Sequence, residues 1–411
     1  MLPRFLTVGV AAILVSAVPL CFAADWPQFL GPQRDGVSNA TGLRLAWGAD
    51  GPPRLWDKDI GEGFSGPVIS GDRLIIFHRA DNKEVVECLR PDSGKPVWKF
   101  AYDTDYEDQL GKGNGPRSTP VLTRRHVITL GAGGWLHCLD AENGSKLWSR
   151  NINTDYRVPP SYFGVGTSPL VEDGRVLVNV GGKDAGIVAF DLLTGKEKWK
   201  ATADGASYSS PVTTVAGKSR LAVFFTRQGV VLIDPATGAV RYQTRWRARY
   251  DASVNAATPL VIGDKLFFST SYETGALLLR MSKDGAEKVW QSDEVMSNHY
   301  NTCVYKDGNL YGFDGRQERG PDLRCVDLKS QKIRWNRERF GCGSTILADG
   351  HVIILTEKGE LVSVAAIPEE YREKGRARVL ADGPCRAQIA LANGRLYARD
   401  QKKLVCWKLR K

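Results

Sequence analysis

The stretch Ile187-Val188-Ala189-Phe190-Asp191-Leu192-Leu193-Thr194-Gly195-Lys196-Glu197-Lys198-Trp199 decides the fold of this chain. It predicts an alternating strand, a tight polar turn at Thr194-Gly195 and a second strand that ends on a large aromatic side chain. The same unit recurs, with the aromatic residue eight positions after an Asp, at Trp148, Tyr242 and Trp335. A period this regular indicates a repeat architecture.

Each repeat is preceded by a small-residue step, an apolar strand and a hairpin turn, and the chain contains eight such openings. They are Gly66-Pro67, Thr119-Pro120, Ser168-Pro169, Ser210-Pro211, Thr258-Pro259, Thr302-Cys303, Ser344-Thr345 and Gln388-Ile389. Most are followed by an Asp-Gly, Asn-Gly or Gly-Asp pair, which suits a tight hairpin because these residues tolerate positive φ. We therefore predict an all-β protein, an eight-bladed β-propeller of four-stranded antiparallel blades.

The last repeat stops at Leu404-Val405-Cys406-Trp407, before its outer strand. The segment from Leu55 to Ile60 has the missing aromatic, Trp56, so we predict that the N-terminal and C-terminal strands pair and close the ring. Closure removes open sheet edges, which otherwise invite aggregation. Blade seven has no aromatic at the corresponding position, and its charged run, residues 369–378, predicts a solvated turn or a short helix.

Residues 1–23 have the features of a secretory signal peptide: one positive charge, a short apolar core and small residues near Ala23. The rest of the chain, residues 24–411, then forms a single propeller domain, exported to the periplasm or the extracellular space and monomeric. No other run has the length of a transmembrane segment. The net charge of +10 is spread over the repeats, which argues against a nucleic-acid groove.

Of the eight cysteines, Cys21 leaves with the signal peptide and seven remain. Four of the seven, at 88, 138, 325 and 406, occupy one repeat position, where we expect small buried core residues. Cys342 and Cys385 fall at nearly the same place on blades seven and eight. A disulfide between them is open, and two reduced thiols are the preferred alternative.

The unit Asp-x-x-Thr-Gly-Lys-x-x-Trp resembles the quinoprotein-type (PQQ-like) propeller repeat, and the resemblance covers almost all of the mature chain. The opening Asp25-Trp26-Pro27-Gln28-Phe29-Leu30-Gly31-Pro32 is similar to the start of many exported bacterial propellers of this family. The resemblance implies the fold. It leaves the function open, because the family includes quinone-dependent dehydrogenases, an outer-membrane assembly lipoprotein and many binding modules.

In a propeller, ligand contacts come from the crossings between one blade's outer strand and the next blade's inner strand. The positions just before the openings supply the candidate ligand-binding residues at the channel mouth: Phe64, Arg117, Tyr208, Asn255, His299, Tyr300 and Arg386. Guanidinium groups can clamp carboxylates, and aromatic rings can stack on a planar body. We therefore expect an anionic, partly planar or sugar-like ligand. The alternative is that these side chains only satisfy backbone carbonyls in a wet channel.

No motif in the sequence identifies a catalytic residue or a metal ligand. The resemblance would imply PQQ with calcium in a dehydrogenase, but no two cysteines are adjacent and the metal ligands cannot be placed by motif. The acidic run 103–108 has the oxygen-rich character of a calcium loop without its glycine or distal Glu, so a solvated acidic insertion is expected.

The function expected from these observations is a non-catalytic binding or scaffold protein of the cell envelope. Its partner, an envelope protein or a small ligand, would contact the channel mouth and the two longest crossings, residues 102–116 and 151–166. The alternatives are a quinone- or metal-dependent oxidoreductase and an outer-membrane protein assembly scaffold.

Overall fold

The computed structural model describes residues 25–251, 253–282, 285–381 and 383–410. The predicted signal peptide, residues 1–23, lies outside the described residues. The described chain forms eight antiparallel four-stranded sheets, one for each predicted repeat, arranged as the blades of a propeller. The all-β, eight-bladed prediction is therefore confirmed.

The first four blades follow one another along the chain. The strands of blade 1 are Val68–Ser70, Arg73–Ala80, Lys83–Leu89 and Pro96–Asp103. Those of blade 2 are Val121–Leu122, His126–Leu130, Trp135–Asp140 and Lys146–Asn151. Those of blade 3 are Leu170–Glu172, Arg175–Gly182, Ala185–Asp191 and Glu197–Ala201. Those of blade 4 are Val212–Ala216, Ser219–Phe225, Gly229–Ile233 and Val240–Arg245.

The last four blades repeat the pattern. The strands of blade 5 are Leu260–Ile262, Lys265–Thr270, Gly275–Ser282 and Gly285–Ser292. Those of blade 6 are Val304–Lys306, Asn309–Asp314, Asp322–Asp327 and Ile333–Arg337. Those of blade 7 are Gly343–Ala348, His351–Thr356, Glu360–Ala365 and Glu373–Arg378, joined by the short parallel strand Val37–Ser38. Those of blade 8 are Ala390–Ala392, Arg395–Arg399, Lys403–Lys408 and Arg54–Asp59.

Helix is confined to two short pieces in the described part of the chain, the α-helix Ile152–Asp155 and the 3-10 helix Gln317–Arg319. No helix within that part has the length and hydropathy of a membrane span.

The ring closes where the sequence predicts. The strand Arg54–Asp59 pairs antiparallel with the C-terminal strand, and Trp56 lies opposite Cys406. The Trp56 indole then donates a hydrogen bond of 3.1 Å to the Pro91 carbonyl of blade 1. The first and last parts of the described chain thus share blade 8 and hold it to its neighbour.

Tryptophans of the repeat lock six of the eight blades to the next blade in the ring. Each indole N–H donates to a backbone carbonyl in or beside the turn of the following blade, as in Trp148 to Leu192 at 2.9 Å. The same bond joins Trp98 to Ala141, Trp199 to Pro235, Trp290 to Leu328 and Trp335 to Ile367. The predicted aromatic girdle is an inter-blade hydrogen-bond system as well as apolar packing.

This lock explains the glycine of the repeat. Gly195 has φ +69°, and a Cβ added there would lie 2.6 Å from the Trp148 ring. Gly94, Gly144 and Gly238 pack in the same way on the preceding tryptophan. Gly is therefore required twice, for the left-handed backbone and for the close approach of the indole.

The seven cysteines within the described residues are reduced and buried, so Cys342 and Cys385 form no disulfide. In four blades the cysteine stands directly opposite the tryptophan of the neighbouring strand, as in Cys138 and Trp148. A small side chain at that place leaves room for the indole, and the core-residue prediction is confirmed.

The openings of the inner strands form a belt around the channel. A backbone N–H of one opening donates to the side-chain hydroxyl of the next opening, as in Ser168 to Ser210 at 3.0 Å. The same bond runs from Gly66 to Thr119, from Thr119 to Ser168, from Ser210 to Thr258 and from Thr258 to Thr302. The hydroxyls of the openings of blades 2 to 6 therefore each satisfy a backbone donor that the blade itself leaves unpaired, whereas the buried Ser344 hydroxyl of blade 7 has no such partner among the described residues.

The N-terminal segment, residues 25–38, lies in the channel. Trp26 bridges to Ile69 of blade 1, and Val37–Ser38 pairs with blade 7. Between them Arg34, which is 2% exposed, donates to the carbonyls of Pro169 and Pro211 and to the Gln28 side chain. Burial lowers the pKa of Arg34 to about 9. The segment thus ties together inner strands from opposite sides of the ring.

The expectation for the charged run 369–378 is wrong in part. Residues 373–378 form the outer strand of blade 7, paired with Glu360–Ala365. Tyr371 packs edge-on against Trp335 of blade 6 at 5.5 Å between ring centroids, so blade 7 still has no aromatic at the usual position. The charged side chains are tolerated because one face of an outer strand points to water, where Arg376 binds Glu360 and Glu373.

Candidate functional site

The crossings between blades meet at one end of the channel around a cavity of about 1000 Å³, the mouth cavity. Six of the seven predicted site residues line it: Phe64, Arg117, Tyr208, His299, Tyr300 and Arg386. Asn255 does not. Its side chain is buried and donates to the Thr226 carbonyl at 2.8 Å, and its own carbonyl accepts from the Tyr208 amide at 3.0 Å. Asn255 therefore lies outside the cavity lining and holds the backbone of Tyr208, which does line it.

Arg117 is held by its surroundings. Its guanidinium lies 2.9 Å from the Asp108 carboxylate, and it also donates to the carbonyls of Gly113 and Gly115. The rings of Phe64, Tyr106 and Phe163 stand around it at 5.7 to 5.9 Å. The positive charge is thus already neutralised and covered by aromatic faces.

The expectation of a solvated acidic insertion holds for Asp103, Asp105 and Glu107, which are exposed, and is wrong for Asp108. Its side chain has no exposed area, and it accepts from the backbone amides of Leu110 and Lys112 as well as from Arg117. The insertion 102–116 is therefore folded around a buried carboxylate. It forms a wall of the mouth cavity, to which Leu110 and Lys112 contribute.

Arg386 is also paired. Its Nε lies 2.6 Å from a Glu357 oxygen, which also accepts a hydrogen bond of 2.7 Å from the Tyr300 hydroxyl. The guanidinium lies 5.6 Å from the centre of the Phe64 ring, so Phe64 is near both arginines. Burial raises the pKa of Tyr300 and keeps this hydroxyl protonated.

His299 precedes Tyr300 on the crossing between blades 5 and 6, with 6.0 Å between the two ring centroids. Its Nε2 is 3.0 Å from the Tyr272 hydroxyl, and the guanidinium of Arg316 covers the Tyr272 ring at 4.6 Å. Burial lowers the pKa of His299 to about 4, so the imidazole is neutral near pH 7. A neutral imidazole and a tyrosine hydroxyl recognise hydrogen-bonding groups rather than charge.

Several lining residues lie outside the repeated positions, so the repeat could not predict them. They lie on insertions, on hairpins between the second and third strands, or on the N-terminal segment: Phe29, Tyr162, Phe163, Tyr250, Tyr272 and Arg316. With Phe64, Tyr208 and Tyr300 they surround the cavity with eight aromatic rings. The length of the crossing 151–166 pointed toward Tyr162 and Phe163, and no signal in the sequence pointed toward the other four.

The formal charges of the lining cancel. Five basic and five acidic side chains contribute to it. Three of the acids lie on or beside the hairpin of blade 6, where Arg324 binds Asp314 at 2.9 Å and Arg316 binds Glu318 at 3.2 Å. The cavity therefore presents aromatic faces and internally paired polar groups, with no excess positive charge for an anion.

Within the described residues, no three His, Cys, Asp or Glu side chains lie together so as to hold a metal ion. No tryptophan lines the mouth cavity for stacking on a quinone. These residues do not fit PQQ with calcium.

Comparison with known proteins places this architecture in a family. A family model described as outer membrane protein assembly factor BamB matches residues 82–337. The chain is 24% identical over 254 residues to the tetrathionate hydrolase of Acidithiobacillus ferrooxidans, across 58% of this chain and 47% of that protein. It is 28% identical over 369 residues to the quinohemoprotein alcohol dehydrogenase ADH-IIG of Pseudomonas putida, across 82% of this chain and 44% of that protein.

The solved structure of BamB from Moraxella catarrhalis superposes with a TM-score of 0.64 at 15% identity, covering 87% of this chain and 97% of that one. This likeness concerns the fold alone. The two sequence relatives are matched over about half of their length, and their names describe different activities.

Proposed function

We propose that this chain, which belongs to the PQQ-like repeat propeller family, is an exported, non-catalytic binding protein of the cell envelope that holds a neutral, sugar-like ligand in the mouth cavity. The observation that carries the proposal is the cavity lining: eight aromatic rings beside polar groups whose formal charges cancel. Aromatic faces stack on the apolar faces of sugar rings, and fixed polar groups exchange hydrogen bonds with hydroxyls.

The two arginines favour a neutral ligand over the anionic one that the sequence suggested. Arg117 and Arg386 have side chains 11% and 21% exposed, and each is bound by a carboxylate. An anion would have to compete with Asp108 and Glu357 for them, and breaking a largely buried pair costs about 3–5 kcal/mol. Their role here is to fix Phe64 and the neighbouring wall.

Isothermal titration calorimetry with defined oligosaccharides tests the proposal. Neutral probes such as maltohexaose, cellohexaose and chitohexaose should include at least one that binds, with little dependence on salt. Oligogalacturonate of the same length is the charged control. Binding of the charged probe alone, with an affinity that falls steeply with ionic strength, would instead support an anion site at the arginines.

A scaffold role in outer-membrane protein assembly is the second candidate. It is supported by the family model and by the apolar tips of the two long crossings, where Leu110 is 51% and Tyr162 is 45% exposed. Co-purification of the intact chain with outer-membrane assembly proteins, lost in a Leu110→Ser/Tyr162→Ser variant that still folds, would support it. A dehydrogenase role is not favoured by the cavity, whose lining has no tryptophan to stack on a quinone.

A further inference from the structure

One turn at the mouth cavity has an unfavourable backbone. In the turn 271–274 of blade 5, Tyr272 has φ 66° and Glu273 has φ 58°. Among the described residues this is the one pair of consecutive positive-φ positions that contains no glycine. Comparable pairs elsewhere, such as Asp173-Gly174 and Asn393-Gly394, use glycine at the second position.

Left-handed backbone is disfavoured for residues with a Cβ, and most so for bulky ones. Such strain persists only where the surrounding structure enforces it, and it is enriched at ligand sites. Glu273 is exposed, so burial of its own side chain does not explain the strain. The hairpin would form more easily with Asn-Gly, which is the common choice for this backbone.

Both strained residues contribute functional groups to the mouth cavity. The Tyr272 hydroxyl meets His299 Nε2 at 3.0 Å, and Arg316 lies 4.6 Å above its ring. A Glu273 oxygen accepts a hydrogen bond of 3.1 Å from the Tyr250 hydroxyl. The Tyr250 side chain is 54% exposed, so most of its ring remains available at the mouth.

We infer that the turn 271–274, with Tyr250, His299 and Arg316, is the subsite that recognises the hydroxyl groups of a sugar ring. This inference rests on the proposed function. The sugar ring stacks on Tyr250, while the Glu273 carboxylate, the Tyr272–His299 pair and the Arg316 guanidinium exchange hydrogen bonds with its hydroxyls. The strained backbone is retained because it directs Tyr272 and Glu273 into the cavity.

The wall that contains Arg117 and Arg386 does not serve this purpose. Their guanidinium groups are bound by carboxylates and lie against Phe64, and their side chains are 11% and 21% exposed, against 36% for Arg316, which is also paired with Glu318. That wall supplies an aromatic surface, and specificity for hydroxyl positions comes from blades 5 and 6.

A matched pair of variants tests the inference. Glu273→Gly removes an exposed carboxylate at φ 58°, and Asp184→Gly removes an exposed carboxylate at φ 54° in the corresponding hairpin of blade 3, outside the cavity lining. Both should keep or raise the midpoint of chemical unfolding, because glycine relieves the left-handed strain. Only Glu273→Gly should weaken binding of the neutral hexasaccharide that the native protein binds, by about tenfold, the effect of one or two lost hydrogen bonds to a charged group.

A third variant, Tyr250→Ala, removes the exposed stacking ring and should abolish detectable binding while the unfolding midpoint stays near that of the native protein. The outcomes separate the two proposals. If no neutral probe binds the native protein, the proposed function and the subsite both fail. If a probe binds the native protein and Glu273→Gly equally well, or if Glu273→Gly unfolds at a clearly lower denaturant concentration than Asp184→Gly, only the subsite is refuted.

Discussion

Replacing Gly195 by Ala measures the lock between blades 2 and 3. The added Cβ would lie 2.6 Å from Cδ2 and 2.7 Å from Cε3 of Trp148. The indole cannot easily retreat, because it is 9% exposed and its N–H is bound to the Leu192 carbonyl at 2.9 Å. The left-handed backbone at φ +69° adds its own cost.

Gly174 is the matched control. It lies in blade 3 with φ +72°, and a Cβ there would meet nothing within 4 Å. Both substitutions should lose about 1–2 kcal/mol from the left-handed conformation. Gly195→Ala should lose about 1–3 kcal/mol more, because it overpacks a filled site.

Equilibrium unfolding in guanidinium chloride, followed by tryptophan fluorescence and circular dichroism, gives the two free energies of unfolding. The expected result is a midpoint for Gly195→Ala well below that of Gly174→Ala, with both below the native protein. Equal losses would refute the argument, since they would mean that the turn glycine serves its backbone conformation and has no part in seating the tryptophan.

Other perturbations follow from the same structure. Arg34→Met should lower the free energy of unfolding by about 3 kcal/mol, because two buried carbonyls lose their donor; an unchanged unfolding midpoint would show that the channel segment is dispensable. Burial lowers the pKa of both His137 and His299 to about 4, so between pH 6.5 and 4 the unfolded chain takes up protons that the folded chain does not. Stability should therefore fall as the pH drops through this range, by at most about 3 kcal/mol per histidine, and His137→Phe should flatten the slope of unfolding free energy against pH; a slope equal to the native one would contradict this. Asp108→Asn should leave the Arg117 charge uncompensated and destabilise the 102–116 insertion by about 2–3 kcal/mol. Amide hydrogen exchange in that insertion should become faster. Unchanged exchange would show that the Asp108–Arg117 ion pair does not hold the insertion in place.

The sequence was sufficient to predict the ring of eight blades and the end of the channel at which the mouth cavity lies. The period of Asp, Gly and Trp reports contacts that most blades make with the next blade, so the repeat carries the tertiary contact in its own spacing. Trp56 could be assigned to blade 8 for the same reason. The register of each opening then placed Phe64, Tyr208 and Tyr300 at one end of the channel.

Features outside the repeat could not be obtained in this way. The use of Arg34 as a buried tie across the channel depends on carbonyls of Pro169 and Pro211, more than 130 positions away. The carboxylates that neutralise Arg117 and Arg386 lie 9 and 29 positions from them, with no spacing rule to link them. A list of cationic residues at the rim therefore suggested an anion site that their partners argue against.

The amino-acid pattern alone determined an all-β, eight-bladed ring, its closure by the two ends of the propeller and the end of the channel at which six of the seven named crossing residues line the mouth cavity. Each of these depends on contacts that repeat at a constant distance along the chain. The charge, walls and hydrogen-bonding groups of the mouth cavity depended on which non-repeating side chains meet after the ring has closed. Those side-chain contacts are set by three-dimensional proximity between crossings of unequal length. They cannot be predicted from the separation of the residues along the chain.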